Sequence, residues 1–189
     1  MALAFYFDMT SCIGCKTCQV ACKDKNDLPI GTLFRHIQSY EVGTFPAVGA
    51  FHMSLSCNHC EKPACVEACA SGAIYKTEEG PVLVDDTLCG GCGACVEACP
   101  YGVPQILENG KVGKCDTCIA IRANGSDPQC VSACPMRALE FGELTELLEK
   151  HPGAIPLAVL PFMPESETIP TTIVSPKEID FEAAMPIEY

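Results

Sequence analysis

The chain has 189 residues, enough for one domain or two small ones, and a formal charge of −12 from 24 acidic and 12 basic residues. That acid excess excludes a nucleic-acid surface, which has to neutralise phosphates. The 48% apolar fraction includes 16 cysteines. If those bind metal, the aliphatic core is thin, and metal binding becomes part of the folding free energy.

Residues 3–9 read as a short strand that runs into the first cysteine loop. Helical patterns follow at 17–23, 64–68, 94–98 and 129–133, each beginning beside the third cysteine of a group. Two of them, Ala64-Cys65-Val66-Glu67-Ala68-Cys69 and Ala94-Cys95-Val96-Glu97-Ala98-Cys99, form an internal repeat. Glu78-Glu79-Gly80-Pro81 and Asn109-Gly110 mark two short hairpins. Residues 138–141 read as a strand and 143–150 as an amphipathic helix.

Beyond residue 151 the character changes. Seven of the 15 prolines lie there, cysteine is absent, and acids outnumber bases six to one. Such a tail is expected to build no core: it is either disordered or extended on a partner, and Leu157, Val159, Leu160, Phe162 and Ile173 favour the partner. No stretch approaches about 18 unbroken apolar residues, so no direct membrane span is expected. The best candidate, 155–163, is cut by Pro156 and Pro161. The first residues lack a basic region, a long apolar run and a twin-arginine pair, so the chain is expected to carry no signal peptide of its own.

The cysteines fall into four groups of four. Cys12, Cys15, Cys18 and Cys22 form C-x2-C-x2-C-x3-C, and Cys89, Cys92, Cys95 and Cys99 repeat it with Pro100 behind. Cys57, Cys60, Cys65 and Cys69 form C-x2-C-x4-C-x3-C, and Cys115, Cys118, Cys130 and Cys134 form C-x2-C-x11-C-x3-C before Pro135. The bacterial ferredoxin run holds three corners of one [4Fe–4S] cube and lends its fourth cysteine to another. Four groups thus supply ligands for four [4Fe–4S] clusters, with iron held by all sixteen cysteines. Disulfides suit irregular spacings in small secreted domains. Zinc uses C-x2-C half-sites but needs neither the closely following third cysteine nor the proline; a zinc-stabilised interaction protein is the remote alternative. Spacing alone leaves two pairings open: the middle groups together with the outer groups around them, or first with second and third with fourth.

Cys12-Ile13-Gly14-Cys15-Lys16-Thr17-Cys18, Cys57-Asn58-His59-Cys60-Glu61-Lys62-Pro63-Ala64-Cys65 and Cys99-Pro100-Tyr101-Gly102 resemble the electron-transfer subunit of dimethyl sulfoxide reductase, within the molybdopterin oxidoreductases. The resemblance spans roughly residues 3–150 and favours the nested pairing. Under it, one cluster takes Cys12, Cys15, Cys18 and Cys134; a second Cys22, Cys115, Cys118 and Cys130; a third Cys57, Cys60, Cys65 and Cys99; a fourth Cys69, Cys89, Cys92 and Cys95. The fold implied is α+β, with two interleaved ferredoxin-like units of short strands and helices. The outer unit covers 1–50 and 105–151, the inserted unit 51–104, and a proline-rich, partner-binding tail 152–189.

The resemblance further implies a non-catalytic role, relaying electrons between a quinol-oxidising membrane anchor subunit and a molybdopterin catalytic subunit. It places the chain peripherally at the cytoplasmic membrane, exported with the catalytic subunit or not. The first cluster is expected nearest the catalytic subunit and the fourth nearest the anchor. The alternative host is a formate dehydrogenase or hydrogenase complex. Nitrate reductase relatives carry tryptophan and a [3Fe–4S] cluster where this chain has Cys92, so four full cubes are expected.

His59, between two ligands, is expected to hydrogen-bond toward cluster sulfur or to meet solvent, since the sixteen cysteines already fill the ligand count. Asp8, Asp24, Asp85 and Asp86 read as turn caps rather than acid–base pairs. No P-loop, dinucleotide fingerprint or nucleophile elbow is present, so no catalytic residue is expected. Lys16, Lys23, Lys25, Lys62, Lys114 and Arg137 lie within three positions of a cysteine, close enough to raise cluster potentials.

Overall fold

The computed structural model describes residues 2–187; Met1, Glu188 and Tyr189, the outer ends of the expected outer unit and tail, lie outside the described residues. In chain order the elements are β1 (Leu3–Asp8), α1 (Thr17–Lys25), β2 (Arg35–Val42), β3 (Gly49–Ser56), α2 (Ala64–Glu67), β4 (Ile74–Lys76), β5 (Val82–Val84), α3 (Ala94–Ala98), β6 (Gln105–Ile106) and β7 (Val112–Gly113). There follow α4 (Ile119–Arg122), α5 (Gln129–Ser132), β8 (Leu139–Glu143), α6 (Leu144–Lys150), β9 (Ile155–Pro156), a 3-10 turn (Leu157–Val159), β10 (Ile173–Ser175) and β11 (Met185–Pro186). The fold is α+β with short elements, as the sequence predicts.

β1 is the spine. It runs antiparallel to β8 and parallel to β10, with β9 closing the far edge of the sheet. Ala4, Phe5, Tyr6 and Phe7 are all buried, since both faces of this inner strand are covered. The β2–β3 hairpin pairs from Arg35 opposite Ser56 to Val42 opposite Gly49, and the sequence pattern does not announce it. Its alternation is real, but the inward set Arg35, Ile37 and Ser39 holds one aliphatic residue, and an apolar-periodicity test passes over it.

The helices pack in a nested order. α1, from the first cysteine group, lies on α5 from the fourth, while α2 and α3 of the middle groups lie on each other. Two cores result. The larger joins Phe5, Phe7, Met9, Phe51, Met53, Leu139 and Val174 to Cys18, Cys57, Cys115, Cys130 and Cys134. The smaller joins Ile74, Val82 and Val112 to Cys95, with Cys65, Cys69 and Cys89 against it.

The expectation that residues beyond 151 build no core is corrected. Leu157, Leu160 and Val174 are buried in the main core, and β10 is an inner strand beside β1. The segment also crosses the second cysteine group, where Glu61 N–H donates to Ile169 O, Lys62 N–H to Thr168 O and Thr171 N–H to Asn58 O. The prolines do not prevent this, because Pro156 sits in the edge strand β9 and Pro186 in β11 at a sheet edge, where a missing donor costs no ladder bond. The composition is polar on average, but its few apolar residues sit where the sheet lacks a neighbour. Leu157→Ala is therefore expected to destabilise the metal-loaded protein by about 2–5 kcal/mol, the usual range for emptying such a site. Thermal unfolding would check it; an unchanged midpoint would mean the segment is only draped on the surface.

Candidate iron–sulfur centres

The four C-x2-C loops share one backbone device. The residue before the second cysteine, which is Gly14, His59, Gly91 or Thr117, adopts positive φ in every case, at 67°, 43°, 69° and 57°. This left-handed step lets two cysteines three positions apart turn toward one centre. Glycine takes it freely, whereas a β-branched threonine does so only when its surroundings hold it there. At Thr117 the Asp116 carboxylate accepts from Cys118 N–H at 2.8 Å. Ahead of the first and third groups the same Asp-x-Thr turn recurs. Asp8 accepts from Thr10 N–H and Oγ1 at 2.8 and 2.6 Å, and Asp85 accepts from Thr87 at the same two distances. Those hydrogen bonds draw both carboxyls below their ordinary values, in Asp8 against the opposing effect of burial. Both aspartates cap turns, as the sequence predicts.

No two of the sixteen cysteines are joined in a disulfide in this structure. Electrostatic coupling links thiols within and between the groups, Cys18 with Cys130 among them. Cys12 feels Cys18, Cys134 and Cys15; Cys65 feels Cys57, Cys99 and Cys60; Cys95 feels Cys69, Cys89 and Cys92. Cys22 feels Cys130 and Cys118, while Cys115 feels Cys57 and Cys130. Burial, with this repulsion added, pushes Cys22 and Cys60 up to about 11 and Cys65 up to about 12. Loading metal must displace protons from these thiols, which couples loading to folding.

Among the described residues no three His, Cys, Asp or Glu side chains converge tightly enough to hold one metal ion. Ligands of a [4Fe–4S] cube attach at four separate corners rather than to one ion. A small cavity is lined by Cys12, Cys15, Cys18 and Cys134, and another by Cys69, Cys89, Cys92 and Cys95.

Donors point at the sulfurs. Thr117 N–H lies 3.4 Å from Cys115 Sγ, Val112 N–H 3.5 Å from Cys89 Sγ, and Lys114 Nζ 3.6 Å from Cys57 Sγ. Such contacts favour thiolate over thiol. Three buried donors, Arg35 Nη2, His59 Nε2 and Arg122 Nη2, have no hydrogen-bond partner among the described residues. Unsatisfied donors of that kind fit a protein that encloses acceptor-rich groups. Of the six basic residues near cysteines in the sequence, Lys114 is buried at its sulfur, and Lys25 pairs with Asp116 at 3.1 Å. Proximity in sequence misses Arg35: it is 13 positions from the nearest preceding cysteine, and only strand pairing brings it to the sulfurs.

His59 is not at solvent. It is 2% exposed, its Nδ1 accepts from Val82 N–H at 3.0 Å, and burial followed by the charge of Lys114 holds it neutral. Cys15 and Cys92 are exposed, while Cys22, Cys115, Cys118 and Cys130 are all buried.

Fold and donor set together define a ferredoxin-like iron–sulfur electron carrier. The 4Fe-4S dicluster domain family matches residues 48–144, covering the second and third groups and the fourth through Cys134. Among curated proteins, the chain is 45% identical over 181 residues to YnfG, a probable anaerobic dimethyl sulfoxide reductase chain of Escherichia coli K12, spanning 91% of this chain and 87% of that one. It is 41% identical over 184 residues to the B subunit of the anaerobic dimethyl sulfoxide reductase of Haemophilus influenzae, spanning 92% and 89%. It is 43% identical over 145 residues to the thiosulfate reductase electron transfer subunit PhsB of Salmonella typhi, spanning 74% of each. The protein belongs to the family of iron–sulfur subunits of the dimethyl sulfoxide reductases. It is a non-catalytic electron-transfer chain.

The loop geometry predicts a sharp difference between two adjacent glycines. A Cβ on Gly91 would sit 1.9 Å from Gly110 O at a φ of +69°, whereas one on Gly90 meets nothing within 4 Å. Gly91→Ala is expected to lower iron per chain by about one cluster, and Gly90→Ala to leave it unchanged. Equal iron in both variants would refute this account of the loop.

Proposed function

We propose that the chain holds four [4Fe–4S] clusters and relays electrons between a quinol-oxidising membrane anchor subunit and a molybdopterin catalytic subunit of a dimethyl sulfoxide reductase-like complex. The observation that supports this best is the lining of two cavities, where Cys12, Cys15 and Cys18 meet Cys134 and where Cys89, Cys92 and Cys95 meet Cys69. Cys12, Cys15 and Cys18 would hold one cluster with Cys134; Cys115, Cys118 and Cys130 one with Cys22; Cys57, Cys60 and Cys65 one with Cys99; Cys89, Cys92 and Cys95 one with Cys69. The packing of α1 on α5 and of α2 on α3 supports the same nesting. Under that nesting the chain would divide into an outer unit (1–50 and 105–151) and an inserted unit (51–104), with residues 155–175 bonded to both.

A [4Fe–4S] cube supplies one-electron acceptance and release without proton chemistry. The chain's own residues fix where those centres sit and how wet they are. Exposed Cys15 and Cys92 belong to different quartets, so each unit offers one ligand at the surface where a partner can approach. The buried quartet of Cys22, Cys115, Cys118 and Cys130 stays dry between them. None of the described helices is long and apolar enough to cross a membrane, which fits a peripheral subunit that depends on a separate anchor at the cytoplasmic membrane.

Anaerobically purified protein is expected to contain about sixteen iron atoms and as many labile sulfides, with no [3Fe–4S] cluster, because Cys92 completes its quartet. Iron and sulfide assay with electron paramagnetic resonance of the air-free oxidised sample checks it. A stoichiometric [3Fe–4S] signal, or zinc in place of iron, would overturn the reading.

A further inference from the structure

Arg35 stands out among the buried cations. It is 2% exposed, and its Nη1 donates to Ser54 Oγ at 2.9 Å and, more weakly, to Ser54 O at 3.4 Å. The guanidinium lies 4.7 Å from the Phe5 ring centroid, and its Nη2 donates to nothing. Among the described residues no carboxylate comes within ion-pair distance of it. A buried cation without a counter-ion is costly enough that a protein retains one only where negative charge is supplied.

The groups around Arg35 that would carry negative charge as metal-bound thiolates are sulfurs. Burial opposes its charge, and Cys130, Cys115, Cys18 and Cys22 outweigh that opposition. A short relay also connects it to one of them, since the Ser54 hydroxyl lies 3.6 Å from Cys18 Sγ. Those four cysteines fall in the two quartets of the outer unit. Lys114 is differently engaged. Its ammonium donates to Val82 O, to Cys115 O at 3.1 Å and to Cys57 Sγ at 3.6 Å. Arg35 keeps a free donor, and guanidinium does not lose its proton in proteins.

We propose that Arg35 is an electrostatic tuning residue: its buried guanidinium raises the reduction potentials of the two outer-unit centres, held by Cys12, Cys15, Cys18 and Cys134 and by Cys22, Cys115, Cys118 and Cys130. The inference rests on the four-cluster reading above. A fixed positive charge favours whichever neighbouring state is more negative, which for each centre is the reduced one. In a dry interior the effect is screened little by salt. The centre of Cys69, Cys89, Cys92 and Cys95 has no sulfur among those that act on Arg35 and serves as an internal control.

The test is an anaerobic redox titration of the metal-loaded full chain, followed by electron paramagnetic resonance, for wild type, Arg35→Gln and Arg35→Lys. In Arg35→Gln, iron stays at the wild-type level. At least one midpoint falls by 59 mV or more, the one-electron equivalent of a tenfold change in the oxidised-to-reduced ratio. Arg35→Lys recovers more than half of that fall, and the control centre does not move. Unchanged midpoints at full iron content, or an equal shift of all four centres, would overturn the proposal. If Arg35→Gln loses iron, Arg35→Lys decides: full loading with midpoints within that tenfold equivalent supports a role for charge. A larger shift, or loss of iron from both variants, makes Arg35 a structural prop and overturns it. A wild-type protein without four clusters would instead defeat the functional reading, before any variant is compared.

Discussion

Turning two cysteines three positions apart toward one centre forces the intervening backbone into the left-handed region, and the chain meets that demand four times. Glycine meets it at positions 14 and 91 without strain. His59 and Thr117 meet it with side chains that the surroundings pin in place: His59 accepts from Val82 N–H, and Thr117 Oγ1 donates to Asp116 O at 2.6 Å. The strain at those two loops is held by the β4–β5 hairpin and by the turn at Asp116. Loop geometry and the rest of the fold are therefore not separable. Elements as short as β4 and β5 persist because they brace a loop, not because they are stable alone.

The cores bear the same mark. Five of the buried residues in the main core are cysteines, and in the smaller core cysteine sits among three aliphatic residues. Thiols held at about 11 or 12 by burial do not repel strongly while protonated, but they offer little cohesion either. Iron replaces the protons and ties elements distant in sequence, which fits a chain whose folding free energy is partly metal-binding free energy. The remaining cohesion comes from the segment beyond residue 151. Its Val174 and Leu157 complete the β1 sheet, and Phe162 and Phe181 pack against Phe51, with ring centroids 6.0 and 5.5 Å away.

Much of this was legible in the sequence because the governing signal is local. Cysteine spacing fixes a loop and the helix after it, and α3 falls where the repeat puts it. The hairpins at Gly80 and Gly110 were legible for the same reason, since turn chemistry is written in adjacent residues. Long-range features were not legible. The β2–β3 hairpin buries Arg35 and Ser39 in place of aliphatic residues, so its alternation carries no hydrophobic signature. β10 is three residues long and gains its meaning only beside β1, more than 160 positions away. Average composition describes the tail's surface correctly and misses the few side chains that reach inward. Spacing puts His59 between Cys57 and Cys60, but its surroundings include Phe5 and Lys114, which no local window contains.

Charge is distributed by depth. The surface carries the acid excess behind the net −12, while Arg35 and Lys114 are buried at 2% and 5% exposure, Lys114 at Cys57 Sγ and Arg35 linked to Cys18 through Ser54. Within the four-cluster reading this divides the centres by what sets their potentials. Around Cys15 and Cys92, water is the main dielectric and stabilises added negative charge. Around Cys22, Cys115, Cys118 and Cys130, water is excluded, and desolvation alone would make reduction unfavourable. A fixed cation is the substitute that a dry site permits. It also has to be arginine or a well-anchored lysine, because a cation free to reach solvent would leave the sulfurs uncompensated. The strand position of Arg35 provides that anchoring: its Cα sits opposite Ser56, and its guanidinium is held by Ser54 and lies over Phe5. The hairpin that carries no hydrophobic signature in the sequence is thus the element that delivers charge to the dry centre of the molecule.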